Sequence, residues 1–147
     1  MKPFERNLIK KKDILKIYVD GASRGNPGPS AYAFIFVKEN EILFRDYDYI
    51  GKKTNNFAEY TAIIKALEKA VEWTRWKIQV YSDSELVVSQ VNKEWRIKNQ
   101  TLKKLHNEIK DLIGDFEDVK FFHVSRKNEF IKECDKLCSK CLKEHLK

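Results

Sequence analysis

The sequence predicts an α/β domain, a mixed β-sheet with helices on its faces. Three observations predict it. ILKIYVD (14–20) is a short apolar run of the kind that forms a buried strand. AYAFIFVK (31–38) and EILFRDYDYI (41–50) flank Glu39-Asn40 and read as a hairpin. From residue 53 onward helical and strand-like segments alternate, as crossover connections and parallel pairing require.

The elements follow in order. Residues 1–12 are basic without a period and are expected to form a flexible arm; residues 13–147 are expected to form one domain. GASRGNPGPS (21–30) is rich in residues that break regular structure and is expected to be a loop. KTNNFAEYTAIIKALEKAVEW (53–73) is a helix, with Ile63, Ala66, Leu67, Ala70 and Val71 on one face. Trp73 and Trp76 end it as core residues. KIQVYSD (77–83) is a strand, SELVVSQVN (84–92) a short helix, and TLKKLHNEIKDLIG (101–114) a longer one stopped by Gly114. His106 is expected on its surface. VKFFHVS (119–125) is a last strand and 129–146 a last helix. The first three strands suit an antiparallel meander, and the later two follow crossovers and run parallel to the first.

Composition narrows the partners. With 147 residues the chain is one domain with room for a core. A net charge of +7 favours a polyanion such as nucleic acid, although a solvated lysine-rich surface gives the same number. No apolar run reaches membrane-spanning length, and the N-terminus lacks the apolar stretch of a secretory signal. The expectation is a cytoplasmic protein with reduced cysteines, no membrane partner and no obligate protein partner.

Four carboxylates stand out. Asp20 ends the first strand before Gly21, where an Asp-Gly turn is the structural alternative. Glu59 follows Asn56 by three residues in the first helical turn, where a capping box is the alternative. Asp83 joins a strand to a helix, where an N-cap is the alternative. Asp135 lies near Ile131, Cys138 and Leu142 on an apolar helix face, where an acid must find a partner. Parallel strands put Asp20 and Asp83 together at the carboxyl edge of the sheet, the edge at which α/β folds place ligands. Glu59 shares a face with Ile63 and points to the sheet. Four converging acids repel, and no Lys or Arg is spaced as a buried counter-ion. Divalent ions are the simplest remedy, and an all-oxygen set suits Mg²⁺ or Mn²⁺ over zinc.

These residues resemble a known family. YVDGASRGNPGP (18–29), KKTNNFAEY (52–60), YSDSELVV (81–88) and the CDKL of 134–137 are similar, in order and spacing, to type 1 ribonuclease H across residues 14 to 146. The resemblance implies a ribonuclease H-like fold with strand order 3-2-1-4-5. It implies hydrolysis of the RNA strand of RNA/DNA hybrids, with Asp20, Glu59, Asp83 and Asp135 holding two Mg²⁺ ions and Mn²⁺ as a possible substitute. Asn26, Asn55 and Asn56 match positions that contact the hybrid backbone, and Thr54 one that grips a DNA phosphate. Gly21, Ser23, Ser84 and Glu85 complete the expected substrate contacts, although a glutamine is frequent where Glu85 stands. Many members carry a histidine in the loop before the last aspartate. Here that loop, SRKNEFIKEC, has none, and His123 belongs to the strand. Arg126, Lys127, Asn128 and Glu129 are the auxiliary candidates, the cations to hold a cleaved phosphate and Glu129 to approach a metal or its water. The extended basic helix of many members is shortened to KEWRIKNQ (93–100).

Trp95 in that connector can stack on the DNA strand while Arg96 and Lys98 meet phosphates, or it can cover the helix junction; the flanking cations favour the first. Cys134, Cys138, Cys141 and His145 form one helical stripe. One helix cannot wrap four ligands around a tetrahedral ion, so core packing is preferred to zinc. Double-stranded RNA cleavage and a non-catalytic hybrid-binding module are the alternative functions. Another nuclease on this fold is disfavoured by GNPGP and TNN, and a piece of a reverse transcriptase by the initiating methionine.

Overall fold

The turn at Glu39-Asn40 fixes the register of the first half of the sheet. Both residues adopt left-handed backbone, with φ of 51° and 65°. That is the geometry that joins twisted antiparallel strands through two residues. The computed structural model describes residues 9–10, 12–92 and 96–146. In it β1 spans Leu15–Ser23, β2 Gly28–Lys38 and β3 Glu41–Lys53. Helix α1 (Asn55–Ala70) leads to β4 (Lys77–Ser82). Helices α2 (Glu85–Val91) and α3 (Gln100–Ile113) lead to β5 (Asp118–His123), and α4 (Glu129–His145) follows. The sheet order is β3-β2-β1-β4-β5. β1, β2 and β3 pair antiparallel, and β4 and β5 extend the sheet in parallel from β1. The expected mixed sheet and its strand order are those observed.

The segment 21–30 is not a loop throughout. Ala22 pairs with Ala31 and Ser23 with Ser30, so only residues 24–27 turn. Glycine and proline argued for irregular backbone, but pairing overrides local preference. The turn closes when the Arg24 amide donates to the Pro29 carbonyl, the backbone group that proline retains. β3 also runs past residue 50. Ser30 pairs with Gly51 and Ala31 with Tyr49, so Ile50 is a bulge residue. Gly51, at φ 81°, absorbs the bulge and returns Lys52 and Lys53 to the ladder.

Helix α1 starts later than expected and is capped differently. Thr54 is its N-cap, accepting from the Phe57 amide, so Glu59 lies in the second turn and serves no capping box. Ser84, not Asp83, caps α2. Gly114 ends α3 in right-handed conformation, not as a left-handed glycine cap. His106 is buried, contrary to its expected exposure; its Nε2 lies 3.0 Å from the Gln90 carbonyl. Tyr60 donates to Gln90 Oε1 at 2.7 Å, so α1, α2 and α3 meet at one polar knot. Trp73 is buried edge-on against Phe36, whereas Trp76 is half-buried.

Two apolar layers sandwich the sheet. Ile17, Val19, Phe34, Phe36, Ile78 and Val80 pack against α1 and α3 residues such as Ile63, Leu67 and Ile109. Ile9, within the segment expected to be an arm, is buried in that layer. On the other face Tyr18, Ala31, Ala33 and Ile35 receive Phe130, Ile131, Cys134, Cys138 and Leu142 of α4. The alanines of β2 leave room for the helix to approach. The Cys134 thiol donates to the Tyr18 carbonyl at 3.4 Å, and burial pushes the Cys134 and Cys138 thiols up from their usual range. His145 stacks on Tyr49, with ring centroids 4.4 Å apart. The three cysteines of the stripe are core, as their spacing predicted, whereas His145 is exposed at the end of the helix.

β1 and α1 touch at Gly21. A Cβ there would lie 2.3 Å from the Ala58 carbonyl carbon, which is backbone and cannot yield. Gly21→Ala should cost about 3 kcal/mol or more in a denaturant titration; wild-type stability would show that strand and helix do not meet so closely. Cys138→Ala with Cys141→Ala should cost about 1 kcal/mol per site and leave the protein folded. Stoichiometric zinc in the purified protein, lost with those substitutions, would contradict the core assignment.

Candidate metal centre and nucleic-acid interface

The last pair that joins β1 to β4 is Tyr18 with Tyr81. Beyond it the strands diverge, and each delivers one carboxylate two residues later. Asp20 follows Tyr18, and Asp83 follows Tyr81 just past the end of β4. The crevice between diverging parallel strands is where α/β sheets bind ligands. Glu59 enters from α1. Its Oε1 accepts from the Gly21 amide at 3.0 Å, and its Oε2 from the Ser82 hydroxyl at 3.3 Å. Gly21 therefore does two things: its missing side chain admits the helix, and its N–H holds the carboxylate.

One carboxylate oxygen from each of Asp20, Glu59 and Asp83 lies within 4.8 Å of the others. Asp20 and Glu59 are 7% and 6% exposed, so their charges are poorly solvated. Burial raises the Asp20 pKa to about 7, helped by Asp83 and Asp135 and opposed by hydrogen bonds from Glu59 and the Gly21 amide. Burial, and then the neighbouring Asp20, also push Glu59 well above its usual range. Both shifts have one origin: two buried carboxylates stand side by side with no buried cation among the described residues to offset them. A hard cation with oxygen ligands answers that deficit, and the donor set fits one.

Asp135 stands apart from these three. It is exposed on α4 rather than buried on the apolar face where the sequence placed it, but it lines the same hollow. That hollow encloses about 600 Å³ and is also lined by Gly21, Ser23, Asn55, Asn56 and Ser84. Cations rim it, all of them exposed, and none of those lining it is a buried counter-ion. Arg126 Nε lies 3.6 Å from Asp83 Oδ2 with its side chain 92% exposed, which makes it a surface pair of small energetic weight. Lys127 and Lys132 also line the hollow. Sequence reading missed Lys132; its position three residues before Asp135 on one helix edge was the available signal.

The other candidates lie elsewhere. Asn26 accepts from the Asn55 amide at 3.0 Å and joins Thr54, Lys52, Lys53, Asn56, Asn99 and Thr101 around a second hollow of about 370 Å³. Asn128 caps α4, accepting from the Phe130 and Ile131 amides. Glu85, Arg96 and Glu129 are exposed and line neither hollow. Trp95 lies outside the described residues. His123 ends β5, as expected, and does not line the acidic hollow.

Comparison with known proteins agrees with this architecture. A family model described as "Reverse transcriptase-like" matches residues 18–141. Ribonuclease HI of Halobacterium salinarum is 39% identical over 110 residues, covering 74% of this chain and 55% of that protein. The bifunctional protein Rv2228c of Mycobacterium tuberculosis is 36% identical over 112 residues, 31% of its length, so this chain spans about half or a third of these relatives. A ribonuclease H of Caldanaerobacter subterraneus is 32% identical, with 92% of this chain and 95% of the relative aligned. Among solved structures, RNase H1 from H. salinarum superposes with TM-score 0.85 at 34% identity, over 90% of this chain and 99% of that one. LC11-RNase H1 in complex with an RNA/DNA hybrid also gives 0.85, at 31% identity and with the same coverage. No helix among the described residues is long and apolar enough to cross a membrane. Sheet order, the acids at the strand ends and similarity along nearly the whole chain converge, and the protein belongs to the ribonuclease H family.

Proposed function

We propose that the chain is an endoribonuclease that hydrolyses the RNA strand of RNA/DNA hybrids, leaving 5′-phosphate and 3′-hydroxyl ends. The observation that carries this reading is the convergence of Asp20, Glu59 and Asp83 within 4.8 Å at the sheet crevice. Asp135, on the near edge of α4, completes the acidic set. Two Mg²⁺ ions, or Mn²⁺ in their place, would supply Lewis-acid activation of the attacking water and offset charge on the leaving oxygen. The hybrid held by the LC11 neighbour supports the choice of substrate.

This chain's own groups then divide the work. Glu59 is held in place by Gly21 and Ser82, so it meets its ligand without losing side-chain freedom. Asn55, Asn56, Ser23 and Ser84 offer hydrogen bonds to the RNA sugar-phosphate, where the 2′-hydroxyl separates RNA from DNA. Lys127, Lys132 and Arg126 hold the phosphate by charge. The second hollow, with Thr54, Asn26, Lys52 and Lys53, takes a phosphate of the DNA strand. A cytoplasmic location belongs to this reading, and three free buried cysteines fit a reducing compartment.

Asp20→Asn and Asp83→Asn should each lower hybrid cleavage by at least about 10²–10³-fold while the far-UV spectrum stays unchanged. The assay uses labelled hybrid, RNA duplex and single-stranded RNA; near-normal cleavage of the hybrid by either variant would refute the assignment. Stability without divalent ions should also depend on pH. The folded-state pKa values of Asp20 and Glu59 lie above their unfolded values, so the folded state binds more protons between about pH 4 and 7. Stability should therefore fall by a few kcal/mol as pH rises through that window. Mg²⁺ should restore it at pH 8, and Asp20→Asn should flatten the slope. A melting temperature independent of pH in EDTA would contradict the buried-acid account.

A further inference from the structure

Helix α4 covers the β1–β2–β3 part of one sheet face, but among the described residues the same face of β4 and β5 is open. Gln79 and Tyr81 are half-buried there, and Lys16, Lys120 and Phe122 are exposed. Their alternates Ile78, Val80 and Phe121 point into the main core, so the orientation is fixed by the pleat. Tyr18, Tyr81 and Phe122 are register partners across three strands and form a row of stacked rings. Centroids are 4.7 Å apart for Tyr18–Tyr81 and 5.3 Å for Tyr81–Phe122. Phe130 of α4 closes the inner end at 4.9 Å from Tyr18. The outer end has no such cover among the described residues. Phe122 sits on the edge strand, 37% exposed, with Tyr81 stacked on its inner side.

One exposed phenylalanine is ordinary on a protein surface. Its neighbours distinguish this one. Two residues along each strand, about 7 Å away, a second row runs Lys16, Gln79, Lys120 in the same register. An open ring beside exposed lysines is the pairing that single-stranded nucleic acid selects, a base on the ring and a phosphate at the cation. The row also lies next to the acidic hollow. Past β5 the Val124 amide donates to the Ser82 carbonyl, and Arg126 reaches Asp83. Arg126 follows Phe122 by four positions, a span of at most about 14 Å.

We propose that the Phe122 end of this aromatic row binds unpaired nucleotides of the RNA strand where that strand extends beyond the hybrid duplex. The base continues the stack outward from Phe122, and Lys120, seconded by Lys16, meets its phosphate. The inference rests on the ribonuclease reading, since that reading puts the RNA strand at the neighbouring acids. The site requires no sequence preference, because every base has a face to stack.

The test compares three hybrids of identical duplex in EDTA by fluorescence anisotropy: blunt, with an unpaired RNA extension, and with an unpaired DNA extension. The RNA extension should tighten wild-type binding about tenfold. Phe122→Ala and Lys120→Glu should each cut that gain to less than about twofold, and Phe122→Trp should restore it. None of the three variants should change affinity for the blunt hybrid or its cleavage in Mg²⁺. A 2-aminopurine at the first unpaired RNA position should be quenched by the wild type and remain bright with Phe122→Ala. The proposal is overturned if the RNA extension gives no gain, if the gain survives Phe122→Ala, or if the DNA extension gives as much. Failure of the wild type to cleave the blunt hybrid would instead strike the ribonuclease reading, and the EDTA measurements stand apart from it.

Discussion

The structure depends on the place where the backbones of β1 and α1 touch. At Gly21 any side chain would drive into Ala58, so the strand and helix lie closer than ordinary side chains allow. That approach turns the Gly21 amide into a donor for Glu59 and brings the Glu59 carboxylate to Asp20 and Asp83. A wider gap would leave Glu59 buried without its backbone partner, a cost of about 1–3 kcal/mol for an unmet buried group. The contact also sets the direction of α1, because Tyr60, the next residue, reaches Gln90 and through it the α3 histidine His106.

Around that contact the protein places charge where burial disfavours it. Asp20 and Glu59 are held in an environment that raises both pKa values, and neither hydrophobic layer gains from them. The stability that offsets this comes from elsewhere: Phe34, Phe36, Ile63 and Leu67 on one face, and Ile35, Ile131 and Leu142 on the other. Each such side chain contributes about 1.5–3 kcal/mol on burial. The division is a familiar one for binding sites, where the local rule is broken and the scaffold compensates.

The same division shapes the surface. Acids occupy the floor of the crevice, and Arg126, Lys127 and Lys132 occupy its rim on the α4 side. Lys52 and Lys53 stand at the second hollow, where Lys53 also lies 4.5 Å over the Phe57 ring. A polyanion approaching this edge meets cations before it meets carboxylates. The net charge of +7 is thus not spread as a uniform coat, because part of it surrounds the acids that would otherwise repel a phosphate.

Sequence alone determined the class of fold, because alternation, apolar runs and turn residues are local properties that the chain carries wherever it goes. It determined the carboxyl-edge meeting of Asp20 and Asp83, which needs only parallel strands, and the packing role of the cysteine stripe, which needs only helical spacing. Tertiary structure decided what depends on neighbours distant along the chain. The GASRGNPGPS segment became strand at both ends because β2 and β3 were there to pair with it. Asp135 turned outward, and His106 inward, because the helix faces rotate to satisfy their largest apolar residues, leaving single polar side chains wherever the rotation puts them. Sequence turned Glu59 toward the sheet and the aspartates, but its place within 4.8 Å of them required the close approach at Gly21, a distance between two backbones that no pattern along one chain encodes.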